Sequence, residues 1–320
     1  MTKNLLIGHP ENRNLVLRDK RVIGYHDTGD PQGYPVIFFH GSPGSRLEGS
    51  FFTDLLRRHK LRMIAPDRPG AGLSTFNRNQ TFQSFSRDLT ELIEHLGLAA
   101  YSIIAISGGV PFALAFASEE RVSLRSLTLL SGIGPLHGNE AILAQCPPQF
   151  ATLVRLGLRA PALPYYYFPI LFNPALSWYA KKYPTSFIGL FAMGMCLEDK
   201  ITLRDQAVAL LLTDDFFEGL KNGSRGAAME FSMFLRDWPF DITQVKVPVK
   251  IWHGAEDQNV PVAFAHFLGK QLQNSTVNIV AREGHFSLSI KYANAILTEL
   301  ALSASEFTTN NAALSSPANT

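Results

Sequence analysis

Short apolar runs and amphipathic stretches alternate along the first third of the chain. The runs Pro35–Phe39, Leu61–Ala65, Ile103–Ile106 and Leu124–Leu130 are rich in β-branched and aromatic residues and bounded by turn residues, so they read as buried strands. A hairpin over Asn14–Gly29, turning at Asp19-Lys20, leads into them. Phe82, Phe85, Leu89, Leu92, Ile93 and Leu96 fall on one helical face, with Arg87, Asp88, Glu91 and Glu94 mostly on the other. Thr81 caps that helix and Gly97 ends it. After a long interval, Val247–Trp252 and Val277–Val280 return to the strand pattern, and a last helix is expected to run to about Ser303.

The interval itself is different. From about Gly134 to Asp241 strand alternation stops, and prolines, aromatics and methionines crowd in, among them Tyr165 to Phe168, Phe172, Trp178, Phe187, Phe191 and Phe231. The expected division is a core of 1–133 and 242–303, a helical insertion of 134–241, and a polar, Pro-containing tail of 304–320 expected to be disordered. Packing against the core is the ordinary fate of aromatics at helical spacing. Met193, Met195 and Met229 are candidate pocket liners, because methionine adapts to apolar ligands. A second reading rests Tyr165–Leu171 on a membrane surface.

Composition narrows the function. A net charge of +2 gives no electrostatic case for nucleic acid. Two cysteines, Cys146 and Cys196, make neither a disulfide framework nor a metal spacing and fit a reducing, cytoplasmic setting. Leu5-Leu6-Ile7 is too short for a signal segment, and no run reaches membrane-spanning length without prolines or charges.

The chemistry gathers at Tyr101–Ser118. A buried strand turns into an alanine-rich helix within one residue, Ser107, flanked by Ala105, Gly108 and Gly109. Such a turn strains its central residue, and strain of about 1–3 kcal/mol tends to sit at functional sites. The helix behind the serine aims free N–H groups and a positive dipole end at whatever Ser107 attacks. A phosphate cradle is the other reading of a Ser-Gly-Gly turn.

This stretch resembles the nucleophile elbow of the α/β-hydrolase superfamily, Gly-x-Ser-x-Gly, with Ala105 in place of the first glycine. Four further segments extend the resemblance over about Val22 to Leu302: the loop His40-Gly41-Ser42-Pro43, the segment Asp67 to Ser74, the segment Gly254-Ala255-Glu256-Asp257 trailed by Val260-Pro261, and Gly284-His285 before the last helix. The resemblance implies a mostly parallel central sheet flanked by helices, with residues 134–241 as an inserted helical cap. It implies a triad of Ser107, Asp257 and His285, with Glu256 as the fallback acid, and an oxyanion hole made by the backbone N–H groups of Ser42 and Gly108. It implies no metal or organic cofactor. Asp67 is expected to be structural. Arg46 is either a contact for a substrate carboxylate or a structural ion pair.

The function implied is a serine hydrolase acting through an acyl-enzyme on an ester, thioester or lactone with an apolar part. Ser107 at the elbow argues against the dehalogenases and epoxide hydrolases of this fold, which use Asp there. Ser42 stands where proline iminopeptidases usually carry a second glycine, which ranks a peptidase lower. A C–C bond hydrolase, a cofactor-free perhydrolase and a non-catalytic ligand-binding protein remain the alternatives.

Overall fold

The computed structural model describes residues 11–119, 122–171 and 173–315. Leu5-Leu6-Ile7 and Phe172 lie outside them. Eight strands form one sheet in the order β1-β2-β4-β3-β5-β6-β7-β8. They are β1 Asn12–Val16, β2 Val22–Gly29, β3 Tyr34–Phe39, β4 Leu61–Pro66, β5 Tyr101–Ile106, β6 Leu124–Leu130, β7 Val249–Gly254 and β8 Ser275–Val280. Only the hairpin end is antiparallel (β1 on β2, β2 on β4), and every other pairing is parallel. The start of β7 moves from the expected Val247 to Val249, just past Pro248, a residue that has no N–H to give a ladder.

The strands read as continuous apolar runs because both faces of the sheet are covered. Alternate residues of one strand feed opposite cores. Ile37, Phe39, Ile103 and Ala105 face one side, with Phe85 and Leu89 of α2 (Phe82–His95) and Phe112 of α3 (Val110–Ser118). Val36, Phe38, Ile104 and Ile106 face the other, with Leu56 of α1 (Thr53–Arg58) and Ile296 and Leu300 of the last helix.

Between β6 and β7 the described chain is helical, in α4 Glu140–Leu143, α5 Pro148–Arg159, α6 Pro164–Leu171, α7 Pro174–Lys182, α8 Pro184–Phe191, α9 Leu197–Leu203, α10 Gln206–Gly219 and α11 Arg225–Phe234. Prolines open α5 to α8, where a missing N–H costs nothing. Phe187, Ile188, Leu203 and Phe217 give this insertion a small core of its own. After β7 come α12 Ala263–Gln271, α13 His285–Lys291 and α14 Ala293–Ser315. The last of these extends past the expected helix end at Ser303. Residues 304–315 continue the helix, since neither Gly nor Pro interrupts them before Pro317.

Candidate active site

Ser107 sits at the junction of β5 and α3 with φ of +52°, in the left-handed region that a side-chain-bearing residue seldom occupies. The turn is tight. A Cβ on Gly108 would stand 2.6 Å from Ser42 Oγ and 2.7 Å from Ser42 Cβ, so only glycine lets the loop after β3 approach the elbow. Ala105, which stands where the family pattern has a glycine, is fully buried near the end of β5, paired with Phe39 and Leu129.

His285 enters on the first residue of α13 and reaches Ser107, with Nε2 3.1 Å from the serine Oγ. Its Nδ1 lies 2.8 Å from Asp257 Oδ2. The other oxygen of Asp257 accepts the amides of Asn259 (2.9 Å) and Val260 (2.8 Å), so the same carboxylate closes a turn and orients a ring. His253, at the end of β7, backs it from 3.4 Å while donating Nε2–H to the Val260 carbonyl. Burial alone would raise the Asp257 pKa. His285 and His253 outweigh it and hold the carboxylate well below its usual range. Burial likewise lowers His285, but Asp257, Asp199 and Glu48 outweigh it, and the imidazole stands above its ordinary value. Glu256, the fallback acid, is exposed and makes no contact with the ring.

Ser107, His285, Ser42 and Gly108 open onto a cavity of about 320 Å³, within the range typical of small-molecule sites. The insertion supplies most of its wall, including Phe150, Val154, Phe187, Ile188, Leu212 and Phe231. Two carboxyls break the apolar lining. Glu48 accepts the Gly41 amide at 2.6 Å, and burial pushes it up to about 7. Asp215 accepts the Ser45 amide and hydroxyl, and burial together with Glu48 raises it well above the ordinary carboxyl range.

None of the candidate substrate contacts lines the cavity. Arg46 does not line the cavity. It is buried, and its Nη1 donates to Asp67 (2.9 Å) and Glu218 (2.6 Å), which makes it a structural ion pair. Asp67 ties the loop after β4 through the amides of Arg46 and Leu73. Met193 faces solvent, Met195 is buried in the insertion's own core, and Met229 packs against the main core beside the Tyr165 hydroxyl, so none of the three lines the cavity.

Sequence reasoning missed the residues that hold these loops. Arg68, 1% exposed, donates to the carbonyls of His40 (2.6 Å) and Gly41 (2.8 Å), to Ser42 Oγ (2.7 Å) and to Glu230 of α11 (2.6 and 2.9 Å). Ser42 Oγ in turn donates to Glu230 (2.5 Å). An arginine within an apolar-strand loop was the only available signal, and its partner lies 162 residues away.

The model of the alpha/beta hydrolase fold matches residues 34–292. The chain belongs to this family. An uncharacterised hydrolase of Bacillus subtilis, YcgS, is 23% identical over 276 residues, covering 83% of this chain and 89% of that protein. A proline iminopeptidase of Xanthomonas citri is 28% identical, but only over 36% of this chain and 38% of its own length. Among solved structures, an esterase from Exiguobacterium antarcticum superposes with a TM-score of 0.65 at 18% identity, covering 90% of this chain and 97% of that one, a likeness of fold. Among the described residues no helix is long and apolar enough to cross a membrane.

Proposed function

We propose that the chain is a serine hydrolase that cleaves a carboxylic ester, thioester or lactone with an apolar acyl or alcohol part. One observation carries this reading: the relay from Ser107 Oγ through His285 to Asp257, at 3.1 and 2.8 Å, on the floor of a largely apolar cavity. A serine hydroxyl is a weak nucleophile and needs such a base. Ser107 Oγ adds to the substrate carbonyl carbon as its proton passes to His285 Nε2. The N–H groups of Ser42 and Gly108 hold the oxyanion, each worth roughly 3–4 kcal/mol in the transition state. Collapse expels the leaving group, which takes the proton from His285, and leaves an acyl-Ser107. Water then gives a proton to His285 and its hydroxyl to the acyl carbon, and a second collapse frees the acid and the serine. Asp257 holds the ring tautomer and stabilises the imidazolium without taking the proton.

In this reading residues 134–241 are a cap over the site, the enzyme works in the cytoplasm, and the exposed Tyr166 and Ile170 of α6 give it a weak contact with membrane surfaces. The test is a panel of p-nitrophenyl esters of graded acyl length, with a fluorophosphonate probe on the same samples. Turnover and labelling are expected in the wild-type protein and neither in Ser107→Ala. A folded wild-type protein that neither hydrolyses an ester nor takes the probe would replace this reading with a binding protein.

A further inference from the structure

His285 begins a helix that has no cap of its own. The residue before it, Gly284, carries no side chain, and its amide is taken by Ser287 Oγ at 2.8 Å. The next three amides need an acceptor, which a helix usually draws from its own N-cap side chain. Here it comes from the insertion. Asp199, fully buried on α9, accepts His285 N–H on Oδ2 (2.9 Å) and the N–H groups of Phe286 (2.9 Å) and Ser287 (2.8 Å) on Oδ1. The contact is so close that a Cβ on Gly284 would stand 2.2 Å from Asp199 Oδ2 and 2.5 Å from Cys196 Sγ. At the other end of α13, Lys291 pairs with Glu198, the neighbour of Asp199. One helix of the insertion therefore grips the histidine-bearing helix at both ends.

We propose that Asp199 is the positioning residue for His285, fixing the place of the ring from within the insertion. The proposal rests on the reading of His285 as the general base. Asp199 does not line the cavity, so it acts through the backbone of α13 and through its charge. The carboxyl groups that face the ring are Asp257, Asp199 and Glu48, and each favours the imidazolium when ionised, Glu48 only from about pH 7 upward. Removing one of them by Asp199→Asn lowers the His285 pKa. It also leaves a single oxygen to serve three amides, so the ring shifts, and misplacement by about 1 Å can cost 100-fold in rate.

The experiment is an NMR titration of the His285 imidazole in the full-length protein, wild type against Asp199→Asn, with kcat and KM on the best ester of the panel. The expected result is a lower His285 pKa, an acid limb of kcat/KM moved to lower pH, a plateau kcat reduced about ten-fold or more, and KM within about two-fold. Gly284→Ala gives a second route. Its φ of −110° lies outside the left-handed region, so the added methyl acts by displacing the Asp199 carboxylate, and the same fall in kcat is expected with the charge retained. An unchanged His285 titration and unchanged kcat in folded Asp199→Asn, with only a lower melting temperature, would reduce Asp199 to a stability cap and overturn the proposal. A pKa shift in a protein that turns over no ester would sustain the positioning role and remove the hydrolase reading instead.

Discussion

A single ring carries two opposite pH dependences. The folded His285 pKa is raised above 6.5, so its contribution to stability is complete below the unfolded value and is lost as pH rises through the folded one. The proposed mechanism needs the neutral ring, so it expects kcat/KM to climb across that same window, with an acid limb centred above pH 6.5. Asp257 does not blur the picture: its pKa is depressed below 3.8, so its contribution appears above that value and disappears only in stronger acid. Thermal melts and kcat/KM recorded over the same pH series should therefore move in opposite directions, and the stability slope should become shallower in His285→Gln, the rest coming from Glu48 and Asp215, buried carboxyls whose raised pKa values also lose stability as pH rises. The side chains of this relay were legible because each sits where a strand meets a loop or helix, a context that a short segment records. The three methionines were not, and Arg46 was left open between two readings, since residue type says what a side chain can do and only packing decides whether it faces the cavity.

The elements around the relay are joined by buried charge. Arg68, on the loop after β4, and Glu230, on α11, are both nearly inaccessible, and Arg68 also donates to the carbonyls of His40 and Gly41 and to Ser42 Oγ. A buried pair adds little net stability over an apolar one, yet removing one partner strands the other charge and typically costs about 3–5 kcal/mol. Glu230→Gln should lose roughly that much in urea denaturation and should also reduce kcat, because the same guanidinium holds the loop that presents Ser42. Arg68→Met with Glu230→Leu should recover most of the stability but not the rate. A loss under about 1 kcal/mol in the single variant would mean that Arg68 is solvated in some other way. No local pattern announces a pair so distant in sequence. The end of the last helix was misjudged for a related reason: polar composition suggested a stop near Ser303, whereas helix continuation is limited by breakers, and none occurs before Pro317.

At the scale of the whole molecule, the insertion and the sheet form one unit. Asp199, Asp215, Glu218 and Glu230, all from the insertion, reach the α13 amides, Ser45, Arg46 and Arg68 in turn, four points on the core loops that frame Ser107. The family was readable from five short segments of the core. The lining of the cavity was not, because its wall is assembled from helices whose order in sequence says nothing about which faces meet. Its shape sets the last prediction. Leu212 of α10 lines the cavity and packs against the insertion's own core. Leu212→Trp places a larger side chain into a space of about 320 Å³ while leaving Ser107, His285 and the loop of Ser42 in place. Medium-chain p-nitrophenyl esters should lose about ten-fold or more in kcat/KM, through KM as much as kcat, while the acetate changes by less than about three-fold. Equal losses on all chain lengths would place the acyl group elsewhere than against α10, and unchanged selectivity would mean that the apolar part of the substrate lies outside this cavity.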